Sequence, residues 1–286
     1  MNWLLIPALG AVMLLGEMPG QAANAKAYSN VEFARPDGKP LLLDVSIPKG
    51  KGPFPAVIIV HGGSWKNGDK TTYIKPLKPL LSDAGYAWFS IDYRLAPAYT
   101  FPANMNDVES AVIWVKANAR KYHVDKKRLV LIGESAGGHL VAMVGAQNKP
   151  ETSVAAVVDF YGPNNLSLLP QFLKAPPDGV RELLNITEWN DQSKKLLADA
   201  SPQAFVHKGM PPFLFIHGTA DMLVPPTFSP MMCEAIKKVD GTCEVVSVPG
   251  GVHGMENWEG KLGQTDWKPV MTAWLDKTVK TKPRSK

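Results

Sequence analysis

The chain has 286 residues, 45% of them hydrophobic and 20% charged. That balance belongs to a globular protein with one large core and excludes a disordered chain. Two cysteines exclude a disulfide scaffold or a cysteine-built zinc module. The formal charge of +5 owes five bases to the last ten residues, which hold no acid, so it leaves no footprint for a nucleic acid.

Trp3 to Leu15 is an apolar run interrupted by Pro7 and Gly10, followed by Gly16, Pro19, Gly20 and then Ala23-Asn24-Ala25. An apolar segment, a helix breaker and Ala-x-Ala are the layout of a cleaved secretory leader, and the run falls short of the roughly 20 residues a membrane span needs. Cleavage after Ala25 is expected, giving a secreted or periplasmic protein. The segment before Trp3 lacks Lys and Arg, which leaves an uncleaved anchor or a misassigned start as the alternatives.

Eight β-rich runs follow: Val31–Arg35, Leu41–Ile47, Ala56–Val60, Ala87–Ile91, Leu129–Ile132, Ala155–Phe160, Phe213–Ile216 and Glu244–Val248. Several, such as Ala56-Val57-Ile58-Ile59-Val60, are continuously apolar, as strands of a parallel sheet covered on both faces are. The first two runs are expected to form a hairpin at the sheet edge. Helical spacing appears over Asn106 to Arg120, Ala136 to Ala146, Ser229 to Val239 and Pro269 to Val279. Strand–helix alternation predicts one three-layer α/β domain over residues 26–286, with a mainly parallel eight-stranded sheet. Residues 162–202 break the rhythm and are polar, with helical pieces at Val180–Asn185 and Gln192–Ala200, as a small inserted lid would be. Residues 277–286 read as a solvated basic tail. Asn165-Leu-Ser167 and Asn185-Ile-Thr187 are glycosylation acceptors in a eukaryotic host only.

Three loop sites carry chemistry. Gly133-Glu134-Ser135-Ala136-Gly137 joins a predicted strand to a predicted helix. G-x-S-x-G is weak alone, but at a sharp strand-to-helix turn it lifts a strained serine above the sheet, with small residues two places either side avoiding a clash. The helix behind Ser135 directs amides at a developing anion. His61-Gly62-Gly63-Ser64-Trp65 follows another buried strand, and its paired glycines let amides converge on an oxyanion together with that of Ala136. His61 is read as structural and Trp65 as packing. Asp221 ends His217-Gly218-Thr219-Ala220-Asp221, and His253 lies in Pro249-Gly250-Gly251-Val252-His253-Gly254. A serine nucleophile needs an imidazole base and a buried carboxylate to fix its tautomer. His123, His139, His207 and His217 are weaker bases by position, and Asp92 and Asp191 are rival acids.

At these residues the chain resembles the α/β-hydrolases of the bifunctional feruloyl/acetyl-xylan esterase-like branch, close to the hormone-sensitive-lipase-like carboxylesterases. The matching pieces also include Asp92-Tyr-Arg-Leu-Ala-Pro97 and Ser201-Pro202, so the likeness runs from about residue 30 to 280. The resemblance implies an α/β-hydrolase fold, Ser135 as nucleophile, Asp221 as acid and His253 as base. It implies oxyanion donors at Gly63, Ser64 and Ala136, and a structural role for Asp92-Tyr93-Arg94. Relatives often carry a third glycine where this chain has Ser64. The implied activity is hydrolysis of short-chain acyl esters or of acetyl or feruloyl esters on plant polysaccharide, without metal or cofactor. An arylformamidase-like amide hydrolase and a non-catalytic binding protein on the same scaffold are the alternatives. An exported protein also allows a disulfide between Cys233 and Cys243, against the alternative of two half-buried thiols.

Overall fold

The computed structural model describes residues 26–173, 176–260 and 266–280. The expected leader, residues 174–175 of the lid and the last six residues of the tail lie outside these. The strands are β1 (Lys26–Ala34), β2 (Leu41–Ile47), β3 (Phe54–Val60), β4 (Ala87–Ile91), β5 (Val124–Glu134), β6 (Ala156–Phe160), β7 (Phe213–Gly218) and β8 (Cys243–Val248). They form one sheet in the order β1-β2-β4-β3-β5-β6-β7-β8. β1 pairs antiparallel with β2, and β2 with β4, while every pairing from β4 to β8 is parallel.

Continuous apolar runs become strands buried on both faces, because successive side chains point to opposite sides. Ala56, Ile58 and Val60 of β3, Leu129 and Leu131 of β5, and Phe213 and Phe215 of β7 enter one core layer. Val57, Ile59, Val130, Ile132, Leu214 and Ile216 enter the other. The first layer is closed by α2 (Ala103–Ala117) through Val108, Ala111, Val112 and Val115, by α3 (Ala136–Gln147), and by α7 (Phe228–Lys238) through Met232 and Ile236. The second is closed by α1 (Leu77–Asp83) through Leu77 and Leu81, and by α8 (Trp267–Leu275) through Met271, Trp274 and Leu275. Each buried Val, Leu, Ile, Phe or Met among these contributes about 1.5–3 kcal/mol relative to exposure.

Element types match the sequence expectation and boundaries shift. β1 starts at Lys26 rather than Val31 because it is an edge strand whose polar residues pair with β2 across a register shift. β5 starts at Val124, paired to Phe54, ahead of the charged Lys126-Lys127-Arg128 that hid it. α2 begins three residues early, immediately after Pro102. α1 was not expected; it is short and carries Pro79. The predicted lid contains α4 (Leu169–Leu173), α5 (Asp178–Leu183) and α6 (Asp191–Asp199). Cys233 of α7 and Cys243 of β8 are bridged, with Cα atoms 5.5 Å apart. Among the described residues no helix is long and apolar enough to cross a membrane.

The parallel pairing has a chemical consequence. The loops after β3, β5, β7 and β8 all leave the carboxyl edge of the sheet, which carries His61 to Trp65, Ser135, Asp221 and His253 to one place.

Candidate active site

Ser135 stands between β5 and α3 with φ 53° and ψ −117°, a backbone that L residues avoid. Its amide donates to Phe160 O at 2.8 Å and its carbonyl accepts from His139 N at 3.0 Å, so the turn is pinned on both sides. The flanking glycines are steric necessities. A Cβ on Gly133 would lie 2.3 Å from Gly137 O, and one on Gly137 would lie 2.2 Å from Val60 O.

Ser135 Oγ lies 2.9 Å from His253 Nε2. On the other side of the ring, His253 Nδ1 lies 2.7 Å from Asp221 Oδ2. A carboxylate only accepts, so Nδ1 carries the hydrogen and Nε2 is free to accept from the serine hydroxyl. The buried Asp221 carboxylate also accepts from the amides of Leu223 (2.8 Å) and Val224 (2.9 Å). His217 Nε2 approaches it at 3.3 Å while also reaching Val224 O at 3.2 Å, and its Nδ1 meets Ser229 Oγ at 2.7 Å. Burial raises the Asp221 pKa, but hydrogen bonds from His217 and His253 outweigh it and hold the carboxyl well below the usual range. The group therefore stays ionised while oriented. Asp221, His253 and Ser135 form a connected proton path across three loops.

The rival residues are engaged elsewhere. Asp92 accepts from Lys70 N at 2.9 Å, and Asp191 is an exposed partner of Lys194. His139 is fully buried, accepts from Trp65 Nε1 (3.2 Å) and donates to Ala200 O (2.7 Å), and burial lowers its pKa to about 4. It ties α3 to the loop after β3 and to the segment that follows α6 at Ala200. His61 is buried, stacked on Tyr93 with centroids 4.3 Å apart, and lowered by burial to about 4.

The oxyanion candidates resolve by their partners. The amide of Gly62 serves the Glu134 carboxyl. Those of Gly63, Ser64 and Ala136 make no loop or turn hydrogen bond among the described residues. Ser64 and Ala136 line a cavity of about 210 Å³ together with Ser135 and His253, whereas Gly63 does not line it. Gly63 takes φ 102° and its carbonyl accepts from Lys66 N and Asn67 N, which folds the loop back. Ser64 and Trp65 follow at φ 55° and 61°, so this chain holds side chains in a conformation suited to glycine.

The rest of the cavity is uncharged. Trp65, Pro163, Leu169, Pro177, Val180 and Leu223 form most of its wall, and Gly179 of α5 packs against Ser64. A larger cleft of about 590 Å³ lies at the amino edge of β5 and β6 and holds none of the candidate residues.

Sequence reasoning missed the supports Glu134 and Tyr161, and it left the contacts made by Tyr93 and Arg94 unspecified. Tyr93 donates toward His61 O and Gly62 O, at 3.2 and 3.3 Å, holding the loop after β3 in place. Arg94 forks onto Asp107 and reaches Asp37, which makes the Asp-Tyr-Arg segment structural as expected. Glu134 is buried beside the Gly62 amide and the Tyr161 hydroxyl, and burial lifts its pKa to about 8. Tyr161 accepts from Met255 N at 2.8 Å and packs against the His253 ring. Only long-range contacts reveal these roles, so no local pattern could have marked them.

In sequence and fold the chain is similar to known esterases. The chain is 31% identical over 225 residues to Esterase LipC of Mycobacterium tuberculosis, covering 73% of this chain and 55% of LipC. It spans about half the length of the curated relatives it matches. A truncated carbohydrate esterase from gut microbiota superposes with TM-score 0.79 at 26% identity, covering 92% of this chain and all of that one. An esterase from the Planctomycetes species Thermogutta terrifontis shares the fold, with TM-score 0.72 at 24% identity over 94% of this chain and 97% of its own. The BD-FAE family model matches residues 43–236, more than half of the chain, and the protein belongs to this α/β-hydrolase family.

Proposed function

We propose that the protein is a secreted serine carboxylic-ester hydrolase acting through an acyl-enzyme, on short-chain acyl esters and on acetyl or feruloyl esters of plant polysaccharide. The observation that carries the reading is the unbroken path of 2.9 and 2.7 Å from Ser135 through His253 to Asp221. Ser135 Oγ attacks the ester carbonyl carbon while its proton passes to His253 Nε2. The carbonyl π pair moves onto oxygen, where the amides of Ser64, Ala136 and Gly63 receive it. Collapse breaks the bond to the alkoxy oxygen, which leaves as alcohol with the proton from His253. Water then attacks the acyl-enzyme, giving its proton to His253, and the acid departs as Ser135 recovers its hydrogen.

The uncharged, apolar cavity suits a neutral acyl group. Similarity to a carbohydrate esterase supports the polysaccharide reading. The Cys233–Cys243 bridge supports export, since such bridges persist in oxidising compartments.

The test is turnover of p-nitrophenyl acetate by the wild type and by Ser135→Ala. A loss of at least about 10³-fold is expected. Equal rates would sink the reading. An ester panel from acetyl to feruloyl and longer chains, with acetylated xylan included, then assigns the substrate.

A further inference from the structure

A second cavity, of about 250 Å³, adjoins the lid and has no part in the chemistry described above. Its lining interleaves with that of the catalytic cavity. Leu169, Pro177 and Val180 face Ser135, while their chain neighbours Pro170, Pro176 and Arg181 face the second cavity. The segments around α4 and α5 therefore form one wall between the two. The same wall is fastened to the loop after β3 by the ion pair Lys66–Glu182 at 2.9 Å.

The second cavity is amphipathic. Pro170, Pro176 and Ile186 give it an apolar floor, and Trp189 stands at its side. Trp189 is 52% exposed and is the only exposed tryptophan among the described residues. Arg181 and Glu188 also line it, yet they form no ion pair with each other or with any described residue. One cation and one anion in a single cavity leave it neutral overall, which disfavours phosphate or carboxylate ligands.

We propose that this cavity binds a pyranose unit of the glycan that carries the ester. The proposal rests on the polysaccharide reading given above. A pyranose has one face of C–H groups and a rim of hydroxyls. Its C–H face, weakly positive, suits the negative face of an indole. Its hydroxyls both donate and accept, matching a guanidinium that only donates and a carboxylate that only accepts. A sugar held on one side of the wall anchors the polymer, so that an acylated neighbour can present its ester carbonyl to Ser135 on the other.

The test has two arms. The first measures KM for acetylated xylo-oligosaccharides relative to KM for p-nitrophenyl acetate, in the wild type and in Trp189→Ala. The ratio is expected to rise on the order of fivefold, the share expected of one aromatic contact. The second titrates Ser135→Ala with unacylated xylohexaose and follows tryptophan emission. Saturable quenching is expected, and it should vanish in Ser135→Ala/Trp189→Ala. Quenching that survives loss of the indole, absence of quenching, or an unchanged KM ratio overturns the proposal, as does a response to a free arene in place of xylohexaose. The titration needs no turnover. An enzyme inactive on both ester classes would therefore sink the hydrolase reading while leaving the sugar site to its own result.

Discussion

Tyr161 and His253 pack ring against ring, with centroids 4.7 Å apart and planes inclined at 60°. Tyr161 follows β6, which lies between the strands that lead to Ser135 and Asp221, and its own φ is 45°. Its amide donates to Ile216 O of β7 at 3.0 Å, and its hydroxyl accepts from Met255 N two residues beyond His253. Burial pushes that hydroxyl's pKa well up, so it keeps its proton and can donate toward Glu134. One side chain thus links the Ser135 turn to the loop of the candidate base.

Tyr161→Phe separates the ring from the hydroxyl. The packing against His253 stays, while Met255 N loses its buried acceptor. Kinetics on p-nitrophenyl acetate should show kcat falling about tenfold with KM nearly constant, because a loop misplaced by a fraction of an ångström costs orientation rather than binding. A melting experiment should show a loss of about 1–3 kcal/mol. Unchanged kcat would remove Tyr161 from the positioning of His253.

Asp221→Asn tests the carboxylate. The amide oxygen can still accept from Leu223 and Val224, so the loop keeps its shape. The amide nitrogen, however, would face His253 Nδ1 with a hydrogen of its own. The ring must then place its hydrogen on Nε2, where it can no longer accept from Ser135. A fall of about 10⁴-fold in kcat is expected. A variant within about tenfold of wild type would show that another group orients the imidazole.

Much of this site was legible in sequence because its signals are local. A strained serine between a buried strand and a helix needs small neighbours, and Gly133 and Gly137 are where sterics require them. Asp221 and His253 each follow an apolar run, so a parallel sheet must bring both to its carboxyl edge. The supports were hidden for the opposite reason. Nothing near Tyr161 in the chain announces that it meets Met255, or that Glu134 meets Gly62. Edge structure was also hard to read, since β1 pairs through Lys26 and Tyr28 without burying a full face. Residues 162–202 were visible only as an interruption, because their helices are short and take their positions from packing rather than propensity.

Gly179 offers a handle on the proposed oxyanion loop, whose donors would be backbone amides. A Cβ there would lie 2.9 Å from Ser64 Cβ and 3.0 Å from Ser64 O. Gly179→Ala should therefore push Ser64 away and lower kcat about tenfold or more, toward the loss of one oxyanion donor. Ser64→Ala keeps the amide in place and should stay within about threefold of wild type. If Ser64→Ala were the more damaging change, the hydroxyl rather than the amide would be the working group.

Glu134 makes stability depend on pH with a definite sign. Its folded pKa of about 8 lies above its ordinary value of 4.5, chiefly through burial. Between those values the folded state holds a proton that the unfolded chain has released, so stability falls as pH rises through the window. His61 and His139 act in the opposite direction. Burial lowers both to about 4 from 6.5, so stability falls as pH drops from 6.5 toward 4. Glu134→Gln removes only the first effect, since the amide is neutral at every pH. Melting temperatures of the two proteins should diverge from pH 5 to pH 8, the variant gaining on the wild type by an amount on the order of a few kcal/mol at the upper end. The acid-side loss should be common to both. Parallel curves across that range would mean that the Glu134 carboxyl is not carried into the fold as a neutral group.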